Sequence, residues 1–348
     1  MKLTNQIIEN DTIEIINSPY IDWAKFSNKT VLITGATGLI GTKLIKTLLL
    51  APQNIKVIAL ARSKDRLENL FKTEIEQNLI IPIYQDIINE ITYDMPIDYI
   101  IHTACGTASK GFIENPVETI DTIINGTKNI LSFAHKKQVK SVVHLSSMEV
   151  YGETDFNRQE PLRENNLGNI DLLNPRSSYP EGKRLAETLC AAFAKEYNVP
   201  VKIARLVQII ASNAALEDKR IITYMARCAV DKTPIILQST GESSRNFCYI
   251  TDCITGILTI LLKGENGQSY NVANQQAFAS IKDLAQHITT KYNLPPINFD
   301  IDKTGKYPAP SKLFVDCTQL NNLNWQATVS LEEMFERVIN SFKKQLLD

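Results

Sequence analysis

Paired cysteines are missing from this chain. Its six cysteines (Cys105, Cys190, Cys228, Cys248, Cys253 and Cys317) are scattered, with no CxxC among them. That spacing excludes a disulfide framework and reads as buried free thiols of a reducing compartment. The four histidines do not pair with them at ligand spacing, so no metal site is expected. Long apolar runs are missing too. A membrane span needs about 18 apolar residues, and "ITGILTILL" falls well short. The opening "MKLTNQIIENDTIEIINSPY" lacks the apolar core of a secretory signal, so the cytoplasm is the expected location. Nor is there an excess of either charge: 37 basic residues face 38 acidic ones, for a net charge of −1. That balance gives no reason to expect nucleic acid or a membrane surface as partner. Internal repeats and low-complexity tracts are absent as well.

What is present is alternation, within a chain of 348 residues that is 44% hydrophobic. "TVLITGA" ends in a glycine and is followed by "LIGTKLIKTLLLA" at helical spacing. "KVIALA" and the helical "KDRLENLFKTE" come next, then the strands "LIIPIYQDI" and "IDYIIHTA". The long helix "NPVETIDTIINGTKNILSFAHKKQ" leads to the strand "SVVHLSS". Strand and helix alternating at this spacing predict βαβ units and an α/β fold, a doubly wound parallel sheet of the Rossmann type. The strands are near-continuous apolar runs, as strands covered on both faces should be. After about residue 205 the alternation loosens, which predicts a smaller α/β lobe. The expected division is a helical extension over 1–29, a dinucleotide-binding domain over 30–204 with 245–275, and a substrate lobe over 205–244 with 276–348.

Three motifs carry chemistry. In "TGATGLIG", Gly35, Gly38 and Gly41 follow a strand and open a helix. Small residues there let backbone N–H groups approach a pyrophosphate, whose charge the helix N-terminus favours. In "SSYPEGKRLAE", Tyr179 and Lys183 lie four apart and share a helix face. An ammonium beside a phenol lowers the phenol's pKa and fits it for proton transfer. Alone, that pair would be no more than a surface coincidence. In "HLSSMEVYG", Ser147 stands at the end of a strand, where open α/β sheets bind ligands and where a hydroxyl could also serve as a cap.

The end of the second strand, "VIALARS", bears on the cofactor. NAD-binding folds place a carboxylate about 20 residues past the glycine loop, on the ribose hydroxyls, whereas an arginine suits the 2′-phosphate of NADP. Here Ala61 takes the acidic position, and Arg62, Ser63 and Lys64 follow as donors. NADP(H) is therefore expected ahead of NAD(H).

Together the motifs make the chain resemble an extended short-chain dehydrogenase/reductase of the nucleotide-sugar epimerase/dehydratase family. The resemblance runs over roughly residues 30 to 345 and also rests on "QDI", "HTA", "NGTKNIL", "SRNFCYITD" and "LNW". It implies Ser147, Tyr179 and Lys183 as the catalytic set. It implies cofactor contacts from Gly35, Thr37, Gly38, Leu39, Ile40, Gly41, Asp86, Ile87, Thr103 and Ala104 as well as Tyr179 and Lys183. Arg245 matches the diphosphate-binding arginine, with Arg220 a further candidate. The implied substrate is a sugar linked to a nucleoside diphosphate, and the implied assembly a homodimer through the helices near 116–136 and 179–197. Gln208 stands where relatives carry asparagine, and Ala211-Ser212 stands near their Gly-Pro pair. Glu149 occupies the place of a glutamate that assists proton transfer in 4,6-dehydratases and uronic-acid decarboxylases.

Two enzymatic readings follow. An NADPH-dependent reductase of a keto sugar, making precursors of cell-surface polysaccharide, follows from Arg62, with Tyr179 as proton donor. The alternative is a redox-neutral epimerase, 4,6-dehydratase or decarboxylase holding NAD, which follows from Glu149. A non-catalytic redox sensor would not need Ser147, Tyr179 and Lys183 together.

Overall fold

The computed structural model describes residues 6–106, 109–218, 220–301 and 310–346. Its strands are β1 (Thr30–Thr34), β2 (Lys56–Ala61), β3 (Ile80–Tyr84), β4 (Tyr99–His102), β5 (Ser141–Ser147), β6 (Val201–Leu206), β7 (Gln208–Ile210), β8 (Ile236–Leu237), β9 (Ser244–Tyr249), β10 (Ser269–Val272), β11 (Asn274–Ser280), β12 (Asn298–Phe299) and β13 (Lys312–Leu313). Its helices are α1 (Gln6–Ile16), α2 (Leu39–Leu50), α3 (Lys64–Glu76), α4 (Ser109–Glu114), α5 (Pro116–Lys137), α6 (Ser178–Tyr197), α7 (Ile221–Asp231), α8 (Ile250–Lys263), α9 (Ile281–Lys291), α10 (Thr318–Asn321) and α11 (Leu331–Gln345). No helix among the described residues is long and apolar enough to cross a membrane. All six cysteines are free.

Seven strands form one parallel sheet in the order β10-β6-β5-β4-β1-β2-β3. Alternate side chains of each strand serve opposite faces. Leu32, Ile58, Ile100 and Val142 pack with Ile130 and Leu131 of α5 and Cys190 of α6. Val31, Ile33, Ile101 and Val143 pack with Leu44 of α2 and Ile254 and Leu258 of α8. Two covered faces account for the unbroken apolar strands of the sequence. The chain order reverses between β1 and β4, so α2 and α5 leave on opposite faces and a crevice opens at the carboxyl ends of those strands.

A smaller sheet is built on β9, which pairs antiparallel with β11 and parallel with β7 and β13. Leading into it, α7 begins at Ile221. Asp218 is the reason: its carboxylate accepts from the Arg220 backbone N–H at 2.9 Å, a local bond that competes with helix formation.

The first residues are anchored. Asp11 and Lys43 are both about 1% exposed and lie 3.9 Å apart. Asp11 also accepts from Ser212 Oγ, from the Tyr249 hydroxyl at 2.9 Å and from Arg337 at 3.1 Å. Lys43 donates to the Ile8 carbonyl at 2.9 Å, and Arg337 donates to Glu14 at 2.6 Å. Burial pushes Asp11 above the usual carboxylate range and Lys43 down to about 8, while their mutual attraction opposes both shifts. One carboxylate thus joins α1 to α2, to the segment after β7, to β9 and to α11. Removing one member of a buried pair leaves an uncompensated charge. Asp11→Ala should therefore cost about 3–5 kcal/mol in urea unfolding, and Asp11→Leu combined with Lys43→Met should recover most of that loss.

Candidate active site

The turn after β1 is dictated by close approach. Gly35 has φ +63°, and a Cβ on it would sit 2.6 Å from Thr103 Oγ1. A Cβ on Gly41 would lie 2.3 Å from the Gly35 carbonyl oxygen. Gly38, the exposed residue preceding α2, would bring a Cβ within 4 Å of the Gly35 carbonyl oxygen alone, at 3.2 Å, so its outward side is open. Thr37 is half-buried beside it, and Leu39, Ile40 and Gly41 form the first turn of α2, where backbone N–H groups lack helical acceptors. Thr103 closes the other wall. Its N–H donates to Thr34 Oγ1 at 3.2 Å and its hydroxyl to the Thr34 carbonyl at 2.7 Å. Ala104 follows, its N–H on the same Thr34 hydroxyl. Ile87 is buried against Gly126 of α5, and Asp86 precedes it at the rim. This cradle, which side chains would fill, fits a dinucleotide with its pyrophosphate at the start of α2.

Two of the donors expected for a 2′-phosphate, Arg62 and Lys64, lie beside carboxylates, and the third, Ser63, accepts a capping bond. Ser63 Oγ accepts from the Arg66 N–H as the cap of α3. Lys64 lies 3.7 Å from Glu68. Arg62 Nη1 lies 3.3 Å from Glu118 and 3.7 Å from Asp86. Arg62, expected as a receptor for the 2′-phosphate, thus stands beside two carboxylates that come from other elements.

Ser147 ends β5 and caps the turn after it, accepting from the Glu149 N–H at 3.2 Å; it is also hydrogen-bonded to the Tyr179 phenol. The cap reading of this serine is the one observed directly. Tyr179 is buried and stacks on Phe112 of α4, with centroids 4.1 Å apart and planes 10° apart. Lys183 lies 5.9 Å from the Tyr179 ring centre, but its ammonium donates to the Leu145 carbonyl at 2.8 Å. Burial pushes the phenol well above its ordinary value. Burial outweighs the lowering expected from Lys183, whose ammonium is directed to the Leu145 carbonyl. Cys105 packs beside the same ring.

Glu149 reaches toward the phenol and is held by Arg176, at 3.1 Å. Arg245 of β9 completes the group. Burial lowers its pKa, Glu149 raises it and Arg176 lowers it, and no partner meets its buried Nε among the described residues. Arg176 and Phe112 were missed by the sequence reading. Arg176 does carry a local signal: it lies three residues before Tyr179, in a turn capped by Asn174 that runs straight into α6. Two expected residues stand elsewhere. Arg220 is clamped on Asp218 at 2.8 Å. With Gln208 it lines a narrow cavity between Ile209, Ile222 and Val338, whose walls include none of Glu149, Tyr179 and Arg245. Ser212 turns away to Asp11.

A glycine turn at the reversal of a parallel sheet, with serine, tyrosine and lysine at the crevice, defines a dinucleotide-dependent enzyme of the extended short-chain dehydrogenase/reductase type. Residues 31–273 match the model of the NAD dependent epimerase/dehydratase family, and the chain belongs to that family. It is 28% identical over 327 residues to UDP-glucuronic acid decarboxylase 5 of Arabidopsis thaliana, with 92% of this chain and 91% of that protein covered. Its fold is similar to that of UDP-glucose 4-epimerase from Thermotoga maritima (TM-score 0.77, 20% identity, 91% of this chain and 99% of that one). It is similar also to UDP-glucuronic acid 4-epimerase from Bacillus cereus in complex with UDP-glucuronic acid and NAD (TM-score 0.75, 22% identity, the same coverage).

General acid–base groups contribute about 10²–10⁴-fold. Tyr179→Phe should lower kcat within that range and leave the unfolding midpoint unchanged. Gly41→Ala should abolish dinucleotide binding, read by calorimetry, because the added methyl has no room beside Gly35.

Proposed function

We propose that the protein carries out a redox-neutral conversion of a nucleoside-diphosphate-linked uronic acid, decarboxylation foremost, with NAD returned to its starting state in each turnover. The observation that carries this reading is the placement of Glu149 and Arg245 beside Ser147 and Tyr179. The net reductase rested on Arg62 as a 2′-phosphate contact, and the carboxylates of Asp86 and Glu118 beside that arginine favour the redox-neutral reading instead. The printed names of the relatives, decarboxylases and 4-epimerases of nucleotide sugars, support the same direction.

The bound dinucleotide would supply a hydride acceptor and return the hydride at the end of the cycle. The protein's own groups do the rest. Tyr179 takes the proton of the sugar C4 hydroxyl, and Ser147 orients that oxygen. A ketone at C4 lies β to the carboxylate carried on C5, so the C–C bond can break with its electron pair delocalised onto the C4 oxygen. CO₂ leaves, Tyr179 stabilises the enolate, and Glu149 manages the proton that C5 gains. Arg245 is the cation offered to a substrate anion, and bidentate arginine suits a carboxylate or diphosphate. On this reading the small sheet on β9 forms the substrate lobe. Val117 and Ile120 on α5 and Leu185 on α6 are exposed apolar residues on the faces through which a homodimer would form.

Incubated with UDP-glucuronic acid and no more than catalytic NAD, the protein should release CO₂ with no net change at the nicotinamide absorbance band. Glu149→Gln should lower that rate by about 10²-fold or more. Stoichiometric consumption of NADPH on a keto-sugar substrate would sink the proposal in favour of a reductase.

A further inference from the structure

The carboxylate that selects NAD is missing from the end of β2, where Ala61 stands buried. Folds that prefer NAD put an acid there to accept from the ribose hydroxyls. The structure assigns that selection to Glu118, acting with Asp86. The two residues come from different elements: Asp86 follows β3, and Glu118 lies in the first turn of α5, beyond β1 and β4 in the sheet. Both converge on Arg62, at 3.7 Å and 3.3 Å. An acid in the first turn of a helix complements the helix dipole whatever else it does. What marks Glu118 out is its reach to a cation just past the end of β2, two strands away from β4.

The charge count decides what the cluster accepts. Arg62 with Asp86 and Glu118 sums to −1. The nearby donors do not reverse that sign, since Lys64 is matched by Glu68 and Ser63 carries no charge. A 2′-phosphate would bring two further negative charges against two carboxylates, whereas a ribose with free hydroxyls brings none and offers donors to them. The arginine that would receive the phosphate is therefore already neutralised. The cluster is open to solvent, with side-chain exposures of 72% for Arg62 and 63% for Glu118, so salt will weaken its preference. The inference deepens the proposed function, because it rests on NAD as the resident dinucleotide. Glu118 becomes a specificity-determining residue that the sequence near β2 does not disclose.

The test is a set of dissociation constants for NAD and NADP, measured by calorimetry at low ionic strength on the full chain. The native protein should bind NAD at least tenfold more tightly. Glu118→Gln combined with Asp86→Asn should shift the NADP to NAD ratio at least tenfold toward NADP. Adding Arg62→Ala to that pair should remove the gain. Tight NAD binding with a ratio that the paired substitution does not move overturns the role of Glu118 and leaves the proposed function standing. A native protein that prefers NADP overturns both. Circular dichroism on each variant separates loss of selection from loss of fold.

Discussion

The rest of this molecule depends on the contact between Gly41 and the carbonyl of Gly35. The first turn of α2 can lie against the end of β1 only because no Cβ intervenes. That approach fixes where α2 begins, and with it the direction in which free backbone N–H groups point. It also brings β4 and Thr103 alongside, since the Thr103 hydroxyl and N–H both close on Thr34. A crevice of set width follows, and the catalytic groups at the end of β5 and on α6 are placed relative to it.

On the far wall, electrostatics rather than packing dominates. Glu149 pairs with Arg176, and the two charges act in opposite senses on the Tyr179 phenol and on Arg245. The phenol is buried and stacked on Phe112, which restricts its ring to one orientation. Orientation and protonation are thus set by different neighbours: Phe112 and Ser147 hold the ring, while burial sets its reluctance to ionise. Lys183, directed to the Leu145 carbonyl, steadies the end of β5 from below.

How much of this was legible in the sequence depended on how local the code was. Period and punctuation placed β2 and β5 to the residue, while the grouping of Ser147 with Tyr179 and Lys183 came from the family resemblance rather than from spacing. Glu149 could be singled out, but its partner Arg176 lies 27 residues on, and nothing in either residue's neighbourhood announces the other. Arg62 was read from the end of its own strand, whereas its neighbour Glu118 lies 56 residues away. Arg220 misled because a cation near a substrate loop looks like a ligand, yet Asp218 two residues earlier holds it. Pairings within one element were visible; those made by the sheet order were not.

Asp11 has a consequence for how the chain is made. Its partners Ser212, Tyr249 and Arg337 lie 201, 238 and 326 residues downstream. Contacts this distant in sequence close late, because the loop between them must be ordered first. The parallel sheet can begin to assemble as its strands leave the ribosome, but α1 has no complete berth until α11 has been synthesised. α1 is thus locked later than the sheet it packs beside, and until then its acid stays in water; Asp11 acts as a closing clasp on segments made long after it.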